Sequence, residues 1–195
     1  VNTETLSKII LEDEMTDKEL IKQRINDLGE DFIKQLDIIA VKFKEQHDKF
    51  IDETNGENFF QIILRAHLYI EYEMKEMLKI KLQHPEELGD QSRFASTLKI
   101  LLAIGAIPLE LKNPINFLNR IRNNYAHDLN YQFNEETYNK FINSFSEEFK
   151  ANYKEKYKES LVVRLRELLI TLWLLLIELR LINDEVKTEL NNIFS

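Results

Sequence analysis

Apolar positions along this chain recur every three or four residues, the spacing of amphipathic helices, and no stretch alternates in the manner of a strand. In the N-terminal region Thr16 with Glu19 reads as a capping box that starts a charged helix, and Gly29 marks its end or a kink. The stretch "EDFIKQLDIIAVKFKEQHDKFIDETNG" continues helically to a stop at Asn55-Gly56. Next, "ENFFQIILRAHLYIEYEMKEMLKIKLQ" puts Phe60, Ile63, Ala66, Leu68, Tyr69 and Met74 on or near one broad apolar face. "HPEELGDQS" reads as a loop, and a helix from about Arg93 to Ala103 ends near Gly105, with Pro108 shortly after. Asn113-Pro114 signals an N-cap and first turn for the following helix. Two more helices are expected, from about Asn134 to Tyr153 and from Glu159 to Ile193.

These elements predict an all-α bundle of about seven helices, with residues 1–55 as an N-terminal helical extension and 56–195 as the main helical domain. No repeat, low-complexity tract or Gly/Ser linker suggests another division. Composition agrees, since 4 Gly and 3 Pro in 195 residues are too few for the turns of a β-fold. The chain has no cysteine, which excludes disulfides and thiolate chemistry and fits a cytoplasmic setting. The most apolar stretch, "SLVVRLRELLITLWLLLIELRLI", has its longest uncharged run between Glu167 and Glu178, about half of what a bilayer crossing requires. It reads as a central core helix, and no membrane contact is expected.

Charge changes the picture locally. The net formal charge of −8 opposes general nucleic-acid binding. Yet from Gln91 to His127 the only acid is Glu110, where the chain average gives about six. Arg93, Lys99, Lys112, Arg120 and Arg122 lie in the same stretch. The apolar helix "FASTLKILLAIGAI" leaves little room for carboxylates, but the mostly polar "KNPINFLNRIRNNYAH" does not explain itself that way. A local anion-binding surface is the expectation there. At about 100° per residue, Phe117, Leu118, Ile121 and Tyr125 form the buried face of this helix, while Asn116, Arg120, Asn123 and His127 form a polar stripe. Arg122 falls at the edge of the apolar face, about 140° around from His127.

The stretch resembles the HEPN superfamily, whose signature is an Arg, often followed by Asn, with a His four to six residues beyond. Arg122-Asn123 and His127 match with a gap of four residues; Arg120 and His127 match with a gap of six but lack the Asn. "FASTLKILLAIGAIPLELKNPINFLNRIRNNYAHDL" looks like the mannitol operon repressor branch, and "LRAHLYIEYEMKEML", with Glu71, resembles its paired upstream helix. The likeness covers about residues 57 to 150. It implies a HEPN-like core for residues 56–195, and a metal-independent endoribonuclease or RNA-binding protein of toxin or defence type that needs no cofactor. On that resemblance His127 is the general acid/base, Arg122 the transition-state clamp and Asn123 an orienting group. Arg120 and Lys112 would bind neighbouring phosphates of RNA. One imidazole cannot be base and acid at once, so a homodimer joining two motifs across one cleft is expected.

Blander readings stand beside this one. His127 at a helix C-terminus is favoured as a cation by the macrodipole, by about 0.3–1 kcal/mol, and Asp128 would hold it there. Arg122 would snorkel, or pair with Glu71 across two helices. Tyr125 and the pair Phe145 and Phe149 read as core, His47 and His84 as isolated. His67 and Glu71, one turn apart, lack a third metal ligand, so no metal site is expected. The alternative function is a non-catalytic helical regulator resembling the mannitol operon repressor family, acting through a protein partner or antitoxin. A scaffold whose motif only orders its fold is the third.

Overall fold

The computed structural model describes residues 30–56, 58–88, 93–153 and 159–181, and among these the backbone forms seven α-helices and no strand. They are α1 (Glu30–Glu53), α2 (Phe59–Lys81), α3 (Phe94–Ala103), α4 (Lys112–His127), α5 (Glu135–Ile142), α6 (Glu147–Asn152) and α7 (Leu161–Leu181). The expected all-α helical bundle is what the chain forms. The Thr16/Glu19 capping box, Gly29 and the continuation of the last helix to Ile193 lie outside the described residues. The chain divides into two compact units, one of Phe43–Leu181 and one of Val1–Lys42 with Ile182–Ser195. All that follows concerns the first.

α2 and α7 form its centre, and α3, α4 and the end of α1 pack around them. Trp173 of α7 is fully buried, stacked on Phe50 at 5.4 Å between ring centroids and edge-on to Tyr69 at 4.8 Å. α7 buries Leu165, Leu168, Leu169, Leu172 and Leu176 along with it, as its nearly continuous apolar sequence requires. No helix among the described residues is long and apolar enough to cross a membrane. Glu73 of α2 is 2% exposed and accepts from Arg180 Nε at 2.5 Å, tying the two central helices together. Burial pushes the Glu73 carboxyl above its ordinary value, against the pull of the Arg180 guanidinium.

The stop signals act where the residue types put them. Thr54 turns its hydroxyl back onto the Phe50 carbonyl at 2.7 Å, and the chain leaves α1 through Asn55-Gly56. Asn58 caps α2 by accepting from the Gln61 N–H. α3 closes with Gly105 at φ 72°, Gly105 N–H donating to Leu102 O at 3.2 Å and Ala106 N–H to Leu101 O at 2.9 Å.

Three expectations are corrected. Asn113 does not cap α4, because a 3-10 turn at Leu109–Leu111 runs straight into the helix from Pro108, and Lys112 is already helical. Pro114 is tolerated because first-turn N–H groups have no intrahelical partner. The single helix expected from Asn134 to Tyr153 is two, since Ser144 bonds back to Phe141 O and Ser146 caps a new start at Phe149 N. On α2, Phe60 and Leu68 are exposed, at 42% and 49%, while the buried face takes in His67 and Glu73 instead.

Candidate functional site

α4 carries every candidate residue. Pro114, Ile115, Leu118 and Ile121 sink into the core, with Phe117 and Tyr125 half-buried at its margins. That anchorage turns the opposite side outward: Asn116, Arg120 and His127 are exposed and Asn123 is half-buried, so the polar stripe exists as a surface. Lys112 is also exposed, but about 22 Å of helix rise separates it from His127. Arg120 lies over the Phe117 ring at 4.3 Å, a cation–π contact that steadies its stem.

Arg122 and Asn123 are brought together, with Arg122 Nη1 donating to Asn123 Oδ1 at 3.2 Å. Arg122 and His127 are not. α4 stays regular to its end, where Asp128 N–H still donates to Asn124 O at 2.8 Å, so no distortion swings His127 back toward Arg122. His127 makes no hydrogen bond or ion pair with any described residue. Asp128 does not hold it, because its carboxylate accepts from Asn130 N–H at 2.9 Å and shapes the following turn. Nor does Glu71 hold Arg122, being engaged by Lys75 Nζ at 2.8 Å.

The arginines divide sharply. Outside the acid-poor stretch each described arginine has a protein acceptor: Glu53 for Arg65, Glu135 for Arg164, Gly56 O for Arg166 and Glu73 for Arg180. Within it, Arg93, Arg120 and Arg122 meet no carboxylate among the described residues, and neither do Lys112 and His127. Arg93 precedes α3, but Lys112, Arg120 and Arg122 share α4, and cations on one helix with no counter-ion among the described residues make a surface suited to an external anion.

A histidine that the sequence reading set aside proves to be built into this helix pair. His67 of α2 is 4% exposed, stacks on Phe94 at 4.3 Å, and meets Asn119 Oδ1 through Nε2 at 3.1 Å. With Oδ1 as acceptor the ring proton sits on Nε2. Nδ1 is then a bare, buried nitrogen, 3.9 Å from Glu71 Oε2. Burial lowers the His67 pKa below 6.5; the Asn119 hydrogen bond and Glu71 oppose this, and the Arg122 charge adds to it. His67 sits in no open cleft, so its role is to hold α2 against α4 and to fix the side of α4 on which Arg122 lies. The only sequence signal was a histidine on an apolar face, and its partners lie far along the chain.

That arrangement has a pH signature. Between the depressed pKa and 6.5 the unfolded chain binds more protons at His67 than the folded one does. Its contribution to stability is therefore complete above pH 6.5 and is lost as pH falls through that window. Chemical denaturation of the wild type and His67→Gln over this range should show a flatter pH slope for the variant, and parallel slopes would refute the assignment.

No family model, curated protein or solved structure matches the chain.

Proposed function

We propose that this chain is a HEPN-like, metal-independent endoribonuclease or RNA-binding protein of toxin or defence type, acting in the cytoplasm as a homodimer. The observation that carries the reading is the open face of α4, where Arg120, Asn123 and His127 share one stripe and no carboxylate among the described residues neutralises its cations. RNA cleavage by its own 2′-hydroxyl needs a base for that proton, a cation for charge building on phosphorus, and an acid for the leaving oxygen. His127 has the right chemistry for proton transfer, and an arginine fork suits the phosphate oxygens. Arg122 and His127 stand about 140° apart on a regular helix, so in this reading they converge only across a two-fold axis, each subunit lending one group to its partner's half-site.

The alternative, a regulator working through protein contacts, draws support from elsewhere on the surface. Leu68 and Tyr72 project from α2 beside a shallow groove of ≈ 450 Å³ that also meets Lys49, Arg65 and Tyr69. That reading expects an exposed apolar groove, whereas this one is lined also by Gln46, Lys49, Glu53 and Arg65, and the open cationic stripe has no part in it.

The two separate in one assay. The full chain is incubated with a single-stranded RNA and its all-deoxy counterpart, with and without chelator. The nuclease reading expects RNA cut to 2′,3′-cyclic phosphate ends, uncut DNA and no effect of chelator. Arg122→Ala should slow cutting about 10²–10³-fold, the scale for removing one transition-state donor, and Arg120→Ala should chiefly weaken binding. RNA left intact by the wild type removes the nuclease reading.

A further inference from the structure

The C-terminal end of α4 closes one side of a second depression, of ≈ 320 Å³. Its wall is aromatic, with Phe60 of α2, Tyr125 of α4, and Tyr131 and Phe133 from the segment after α4. The rings are inclined rather than stacked shut: Phe60 meets Tyr125 at 5.4 Å and 50°, and Tyr131 stands edge-on to Tyr125 at 4.7 Å and 89°. Tyr125 is pinned from behind, its phenol oxygen accepting from Phe133 N–H at 3.2 Å. The arrangement leaves Phe60, 42% exposed, with ring surface toward solvent. Tyr125, expected to be core, is half-buried and packs against the core while one side of it walls this opening.

Polar groups stand only at the rim. Asn58 and Gln132 are both exposed there. The Asn58 Oδ1 is taken by the Gln61 N–H, which leaves its amide NH2 free to donate. Among the described residues no carboxylate lines the depression. Arg122 does not line the depression, but it lies on α4 one helical turn from Tyr125 and about 60° around the helix, donates to Asn123 Oδ1 and meets no carboxylate among the described residues.

We propose that this depression is a base-binding subsite, in which an unpaired nucleobase of single-stranded RNA stacks on Phe60 and Tyr131, its edge toward Asn58 and Gln132 and its phosphate toward Arg122. The proposal rests on RNA being the ligand of α4 and adds where the base goes. Its chemistry is general: aromatic faces hold bases by stacking, amides read their edges, and an adjacent cation takes the backbone charge. A protein partner would fill the same hollow with an apolar side chain and would have no use for the amides at its rim or for Arg122 one turn away on α4.

The test measures affinity of the full chain for an all-deoxy single-stranded oligonucleotide, which cannot be cut, and for a set in which each position in turn is made abasic. Wild type should lose roughly 5- to 100-fold in affinity at one abasic position, the scale of a single base–aromatic stack. Phe60→Ala should lose a similar factor on the intact strand and little more on that abasic one, while Phe60→Trp keeps affinity. Equal losses at all positions, or indifference to Phe60→Ala, overturn the subsite. No binding of the strand overturns it as well. Base-selective binding without any RNA cleavage keeps the subsite and removes the nuclease, whereas cleavage with Phe60-independent affinity does the reverse.

Discussion

If the chain is the nuclease proposed above, replacing His127 with Ala is expected to lower RNA cleavage by about 10²–10⁴-fold, the range attributed to a positioned general acid or base, and to leave the melting curve within about 0.5 kcal/mol of wild type. Both halves follow from where the residue stands. His127 is exposed at the end of α4 and bonds to no described residue, so no packing is lost with it. Its loss removes the only imidazole on the cationic stripe. His67, the nearest alternative in α2, is buried with its Nε2 committed to Asn119. Were His127 there chiefly to settle the macrodipole, the variant would lose about 0.3–1 kcal/mol of stability and keep its activity. Single-turnover cleavage and thermal unfolding, measured on one preparation, decide between the two.

Trp173→Ala is expected to lower stability by about 3–5 kcal/mol, the range for deleting a large buried aromatic. For a chain of this size that is roughly 6 to 20 °C in melting temperature. Trp173 is wholly enclosed where α7, α2 and the end of α1 meet, and its removal strips ring contacts from Phe50 and Tyr69 together. Trp173→Phe should fall much less. It keeps an aromatic against both neighbours and gives up only the indole N–H, which faces the buried Glu73 carboxylate. Equal losses for the two variants would mean that the ring stack contributes little. Cleavage, where the folded fraction persists, should not change, because Trp173 is remote in chemistry from α4.

What could be read from the residues alone was whatever depends on local repetition. The buried and open sides of α4 follow from its periodicity, so Ile121 and Leu118 inside, and Arg120 and His127 outside, were legible. Gly105 announced the end of α3 because few other residues accept its backbone angle. The start of α4 was misread because Asn113-Pro114 is a good cap in isolation, and nothing nearby reveals that a 3-10 turn arrives first. His67 was passed over for a different reason. Its meaning depends on Asn119, 52 residues later, and on Phe94, and helical periodicity carries no information about which faces meet. The aromatic hollow was invisible in the same way, being assembled from α2, α4 and a turn.

Four residues of α4 are locked into the interior, and the outward stripe rides on the same backbone. As far as folding is concerned, the exposed positions Asn116, Arg120 and His127 can therefore be exchanged one by one, since they face water. The length of the helix is not free in the same way. A single residue inserted between Ile121 and His127 would turn the imidazole about 100° from its neighbours, so the fold tolerates a point substitution where the geometry of the stripe would not survive the smallest insertion.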